Sequence, residues 1–146
     1  MTKDIITFKL SGNMFAVDLQ KVPLILKANQ FLPEDSFLVY EYNVFKYGNT
    51  EVFLINIYEL LKLVPKEINE SSRILVGELE NSHFGIVVES VMNIINLNGN
   101  CRIIDYPNSS RKDSFYKEII EIEDQQFILL DIEKIFKKEI LERLTL

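Results

Sequence analysis

The chain has one cysteine, Cys101, and one histidine, His83. A single thiol excludes an intrachain disulfide and a thiolate metal cluster. Without a second His or Cys, a zinc site lacks ligands and a Cys/His nucleophile pair lacks its partner. His83 is expected at a hairpin turn with its ring in water, and Cys101 in a loop. Five glycines leave few places where bare backbone could cradle a phosphate, and no Walker motif, Gly-rich phosphate loop, G-x-S-x-G elbow or metal-ligand spacing occurs. Glu121 and Glu123 fall at the end of one expected strand and would share its solvated face, whereas acid-base pairing needs one carboxyl in an apolar pocket. These gaps argue against an enzyme and imply no cofactor. Basic residues are also short, 16 Lys and Arg against 22 Asp and Glu, for a net charge of −6. That sign opposes binding to nucleic acid or anionic membrane. The lysines cluster only at Lys134, Lys137 and Lys138, which reads as a solvated helix face. No apolar run approaches the roughly 20 residues of a membrane helix, so direct membrane insertion is not expected. The opening MTKDIITFKL alternates where a signal peptide would have an unbroken apolar core, which points to the cytoplasm.

What the chain does have is repeated β pattern. From Arg73 to Leu97, the apolar run Ile74-Leu75-Val76 passes the polar turn Glu80-Asn81-Ser82 and resumes as Phe84-Gly85-Ile86-Val87-Val88. Two such runs about a turn predict a β-hairpin. A lone hairpin is marginal in water, so it needs partners. One partner is a copy near the N-terminus: Leu10, Phe15, Ala16, Val17, Leu19, Val22 and Ile25 align with Leu79, Phe84, Gly85, Ile86, Val88, Val91 and Ile94 at one interval (84 − 15 = 69). A second echo aligns Phe53-Leu54-Ile55-Asn56-Ile57 with Ile128-Leu129-Leu130-Asp131-Ile132 (128 − 53 = 75). Two blocks in the same order point to a duplicated unit.

The 146 residues suit one domain, 1–146, with approximate subdomains 1–68 and 73–146. In order, the pattern predicts strands over Ile5 to Leu10 and Met14 to Leu19, an apolar segment Val22 to Leu26 bent by Pro23, and a loop to Ser36. A second hairpin, Val39 to Tyr47 and Glu51 to Ile57, turns at Gly48-Asn49-Thr50. A short helix follows within Tyr58 to Leu63, and the polar stretch Pro65 to Ser72 reads as a linker. After the central hairpin comes a long loop through Asn98 and Lys112, then a hairpin of Phe115 to Ile122 and Gln126 to Leu130. Asp131 can cap a final helix with Ile132, Ile135, Phe136, Ile140 and Leu144 on one face. Many short strands favour small β-barrels.

Three stretches together resemble the CheW-like domains, the coupling proteins of bacterial chemotaxis. Phe84-Gly85-Ile86-Val87-Val88-Glu89-Ser90-Val91 with Ile94 and Leu97 is similar to that family's G-[IL]-V-V-D-x-V-x-x-V-x-x-L segment. Ile128-Leu129-Leu130-Asp131-Ile132-Glu133-Lys134-Ile135-Phe136 resembles its ending I-L-L-D-[IL]-[ED]-K-[IL]-[LF], and Phe15-Ala16-Val17-Asp18-Leu19 with Val22 resembles its Y-[GA]-[IV]-[DP]-[IV]-x-x-V strand. The resemblance runs from about Ile5 to Phe136. It implies a mainly β, duplicated CheW-like fold: two five-stranded β-barrel subdomains (SH3/OB-like) that exchange segments, with a C-terminal helix. It also implies a non-enzymatic adaptor that couples the cytoplasmic tip of methyl-accepting chemoreceptors to the regulatory domain of the histidine kinase CheA, with other CheW-like proteins as further candidate partners. Such a protein is cytoplasmic and recruited to membrane-associated receptor arrays. The family's receptor groove lies between the barrels. By position its walls would be Val22, Ile25, Val91 and Ile94, with Leu24, Tyr47 and Gly48 at further receptor-contact positions; kinase-binding residues are not assigned.

The first half departs from the family pattern. N-L-R-G becomes Phe45-Lys46-Tyr47-Gly48, so the arginine is Tyr47. P-[IV]-[VI]-D-L-R becomes Phe53-Leu54-Ile55-Asn56-Ile57-Tyr58, and an acidic position is Leu24. Tyrosine cannot replace arginine's rigid charged fork, so partner choice is expected to diverge more than fold. Two other readings stand beside the coupling protein: a CheW-like regulator that binds kinase but not receptor, and a small β-barrel that binds a ligand or oligonucleotide through Tyr40, Tyr42, Phe45 and Tyr47.

Overall fold

Two hairpins with matching turns set out the fold. Ser11 and Gly12, with φ of 52° and 79°, turn strand β1 (Lys3–Leu10) into β2 (Asn13–Asp18). Glu80 and Asn81, at 51° and 65°, turn β6 (Arg73–Leu79) into β7 (Ser82–Val88). Positive φ at both central residues is the geometry whose twist suits a two-residue hairpin. In the computed structural model, which describes residues 3–35 and 44–144, the rest of the chain assembles on these hairpins. It supplies β3 (Leu24–Lys27), β4 (Val44–Tyr47), β5 (Thr50–Ile55), α1 (Ile57–Leu61), β8 (Ser90–Leu97), β9 (Arg102–Asp105), β10 (Tyr116–Ile122), β11 (Gln125–Leu130) and α2 (Ile132–Leu144). The start of the expected strand Val39 to Tyr47, including Tyr40 and Tyr42, lies outside the described residues.

The strands form two sheets, ordered β8-β1-β2-β11-β10-β9 and β3-β6-β7-β5-β4. The first hairpin is thus flanked by strands from late in the chain, and the central hairpin by strands from early in it. The ladders repeat at the sequence intervals. Phe15 pairs with Ile128 and Ala16 with Leu129 in the parallel β2/β11 ladder, as Phe84 pairs with Phe53 and Gly85 with Leu54 in β7/β5. The protein is mainly β with a C-terminal helix, but one sheet has six strands where five were expected. The sixth, β9, lies inside the stretch read as a long loop. It is exposed on every residue and held through β10, with Ile104 opposite Ile119.

Alternation along strands buried on both faces divides the core in three. Ile6, Phe8, Phe15, Val17 and Leu130 of one sheet meet Ile55, Leu75, Phe84, Ile86 and Val88 of the other in a shared core, joined by Tyr58 of α1 and Ile132, Ile135 and Phe136 of α2. The opposite faces carry a cluster each, around Ile5, Ile120, Phe127 and Leu129 in the six-stranded sheet and around Val52, Leu54, Ile74 and Val87 in the five-stranded one. Ile68 of the polar stretch joins the second cluster. Its carbonyl accepts from Asp35 N–H at 2.8 Å and the Ser72 carbonyl from Ala28 N–H at 3.1 Å, so this stretch is tied down along the sheet.

Both helices are capped from the side chain before them. Asn56 Oδ1 accepts Glu59 N–H at 3.2 Å and Asp131 Oδ1 accepts Lys134 N–H at 3.1 Å, each satisfying a first-turn donor. Gly77 is required by the close approach of the Lys21 backbone and of α2. A Cβ there would lie 2.3 Å from the Lys21 carbonyl oxygen and 2.7 Å from the Phe136 ring. At the duplicated positions the sizes are reversed, Phe8 for Gly77 and Leu61 for Phe136.

Candidate functional site

Strands β3 and β8 are edges of their sheets. Ile25 sits opposite Leu75 across the β3/β6 ladder, and Ile94 opposite Ile6 across β1/β8. Directly paired residues share a face, and both Leu75 and Ile6 belong to the shared core. Ile25 and Ile94 therefore lie on the core-facing side of each sheet, at the margin where the two sheets part. Ile25 is half-buried, while Ile94 is 57% exposed.

Val91 joins them through an irregularity. The ladder pairs Thr7 with Asn93 and Phe8 with Val91, so Met92 is an extra residue on β8. A bulge of this kind lets residues three apart face the same way, which brings Val91 onto the side of Ile94. Thr7 is fully buried there. Its hydroxyl donates to the Asn93 carbonyl at 3.1 Å and accepts the Asn93 N–H at 3.0 Å, bridging the bulge. In the first half Pro23 occupies the position equivalent to Met92, and Val22 before it is completely buried in the shared core, not on an exposed wall.

The end of β3 and the start of β8 meet in an open cavity of about 390 Å³ lined by Lys27, Glu70, Ser71, Arg73, Ser90 and Val91. Arg73 is held in place by the Glu70 and Ser72 carbonyls, at 2.9 and 3.0 Å. This cavity places Lys27 and Arg73 beside Glu70, next to Val91 of the aliphatic margin, and the basic pair is one that reading the sequence missed. The two are paired across β3/β6, so the fold of the hairpin is the signal that joins them. Elsewhere on the surface, Lys21 lies 3.4 Å from Glu133 of α2, both side chains partly exposed. The charge of Lys21, and then the bond and charge of Lys137, hold the Glu133 carboxyl below its usual 4.5.

The other expected residues lie elsewhere. Leu24, opposite Val76, packs on the five-stranded sheet's own cluster, on the far face of β3 from Ile25. Tyr47 and Gly48 are at the β4/β5 turn, on the opposite margin of that sheet. Tyr47 is 43% exposed and its ring meets Phe31 edge-on, with centroids 5.9 Å apart, while Phe45 is buried against the same Phe31. His83 stands on β7 with Nε2 3.5 Å from Glu78, and Cys101 is half-buried beside the six-stranded sheet's cluster. Glu123 has φ of 54° and forms the β10/β11 turn, so it does not share a strand face with Glu121. Among the described residues no group of three His, Cys, Asp or Glu side chains is arranged for a metal, and no helix is long and apolar enough to cross a membrane. A margin of aliphatic side chains, Ile25, Val91 and Ile94, beside a polar, charged cavity can bind an amphipathic segment.

Comparison with known proteins agrees with this architecture. The crystal structure of the scaffolding protein TtCheW from Thermoanaerobacter tengcongensis is similar, with a TM-score of 0.68 and 18% identity over 89% of this chain and 84% of that one, a likeness of fold. No curated protein sequence matches. The family model for the CheW-like domain matches residues 4–139. With nearly the whole chain matched, the protein belongs to the CheW-like domain family, a family of chemotaxis scaffolds.

Proposed function

We propose that this protein is a non-catalytic adaptor that couples the cytoplasmic tip of methyl-accepting chemoreceptors to the regulatory domain of the histidine kinase CheA. The groove between β3 and β8 carries the reading. A receptor tip is a helical hairpin, and an amphipathic helix binds by laying its apolar stripe into an apolar groove. Ile25, Val91 and Ile94 offer that lining and Val22 supports it from below. Lys27 and Arg73 would meet a carboxylate on the incoming helix. The adaptor then works in the cytoplasm, recruited to receptor arrays through this contact, with other CheW-like proteins as neighbours.

A kinase-binding regulator without receptor contact is the second reading. It is favoured by Tyr47, whose ring packs on Phe31 where the family pattern has a charged fork. The oligonucleotide reading is disfavoured by the net charge of −6 and by the burial of Phe45.

The experiment is a pull-down from the protein's own cell lysate, comparing wild type with Ile94→Asp, whose exposed position leaves the fold intact. Recovery of a histidine kinase and a chemoreceptor by wild type, with the receptor lost in the variant, is expected. Kinase without receptor on wild type would establish the regulator instead, and recovery of neither would overturn both readings.

A further inference from the structure

In a chain with net charge −6, four lysines surround one depression. The cavity, about 450 Å³, is lined by Lys112, Phe115, Lys134, Lys137, Lys138 and Leu141, with Asp113 as its one carboxylate. Lys112 comes from the segment before β10 and the other lysines from α2, so the cluster exists only in the folded chain. The Lys134 ammonium donates to the carbonyls of Arg111 and Ser114, both at 2.7 Å, and of Ser109 at 3.4 Å. Its charge is thereby fixed at the wall, and among the described residues no carboxylate pairs with it. Among the described residues Lys112 has no ion pair either. Lys137 and Lys138 pair with Glu133, at 3.4 Å, and with Glu142 across one helical turn, contacts that water and salt weaken.

The interior of the cleft is apolar. Phe115 forms its floor, lysine stems add to its walls, and Leu141 stands at its rim, 63% exposed. A concave apolar site ringed by ammonium groups matches a ligand with one protruding apolar side chain among carboxylates.

We propose that this cleft docks an acidic segment of a partner protein, inserting one bulky apolar side chain between Phe115 and Leu141 and setting its carboxylates over the lysines. A bilayer of anionic lipid presents the same charge, but its flat surface cannot enter a concavity, and it repels the chain as a whole. The cleft shares no lining residue with the β3/β8 groove, so it stands apart from the receptor reading.

Backbone NMR of the full chain tests it. The ligands are a synthetic peptide of about twelve residues, Asp- and Glu-rich around one phenylalanine, the same peptide with alanine at the centre, and phosphatidylserine vesicles. Saturable shifts at Lys112, Phe115, Lys137 and Leu141 are expected with the phenylalanine peptide alone. Binding should weaken about tenfold in Lys112→Glu with Lys137→Glu, in Leu141→Asp, and on raising salt. All three positions are exposed, and an otherwise unchanged spectrum verifies the fold. No shifts at the cleft at millimolar peptide, equal response to the alanine peptide, binding that survives the substitutions, or response to vesicles alone would each overturn the proposal.

Discussion

The Tyr58 hydroxyl donates a 2.9 Å hydrogen bond to the Glu89 carboxylate, tying α1 to the junction between β7 and β8. The same carboxylate oxygen accepts the Ser11 N–H of the first hairpin's turn, and the Glu89 N–H donates to the Lys9 carbonyl at 3.1 Å. The family pattern has arginine and aspartate where this chain has Tyr58 and Glu89, so two departures from that pattern meet in one contact. Hydrogen bonds to a charged partner contribute about 1.5–3 kcal/mol. Tyr58→Phe should therefore lower stability by about that amount, read as a lower urea midpoint with an unchanged slope.

The two interior glycines predict unequal costs. At Gly77 an added Cβ meets a backbone carbonyl, which cannot move aside as a side chain can. Gly77→Ala should lose about 3 kcal/mol or more, and Phe136→Leu should fail to rescue it, since the carbonyl remains. At Gly85 the nearest atoms are the side chains of Ile74 and Val52, at 2.9 and 3.2 Å, and the duplicated position already carries Ala16. Gly85→Ala should cost about 1–2 kcal/mol. Thermal unfolding of the pair and of the double variant checks the ranking.

Lys134→Met removes the ammonium around which residues 109–114 are wrapped. Global stability should fall by about 1–3 kcal/mol, and amide exchange should quicken first at residues 109–114. Unchanged local exchange would show that the loop holds itself.

These cases separate what alternation reveals from what it hides. Both hairpins, their common register and the capped last helix were legible, because β-branched runs, turns and a capping Asp131 are local signals. Strand β9 was not: Arg-Ile-Ile-Asp is four residues long and fully exposed, and only β10 holds it in place. Nor was the direction of Leu24 legible. Residues spaced three apart, such as Val91 and Ile94, share a face only because Met92 bulges, and alternation alone does not say which residue is extra. Thr7 reads as an outward polar residue for the same reason, yet its hydroxyl closes that bulge. The lysine cleft needed Lys112 brought to α2 by folding.

Glu133 gives a pH signature. Its carboxyl is held below 4.5 by Lys21 and then Lys137, so the stabilisation is fully present above 4.5 and fades as pH falls through the lowered native value. The side chain is 42% exposed, which restricts the effect to a fraction of about 1 kcal/mol. Glu133→Gln should be slightly less stable than wild type at neutral pH. The difference should shrink with added salt and close as pH falls from 4.5 through the lowered native value, as measured by urea midpoints.

The placing of each hairpin among strands from the opposite part of the chain bears on synthesis. As the chain leaves the ribosome, the five-stranded sheet lacks β6 and β7 until residue 88 has emerged, and the first hairpin waits for β8 to cover one flank and for β11 to cover the other. Neither sheet can therefore be completed from one half of the chain alone. The nascent chain must keep β3, β4 and β5 in reserve, and the molecule closes when its last strand arrives.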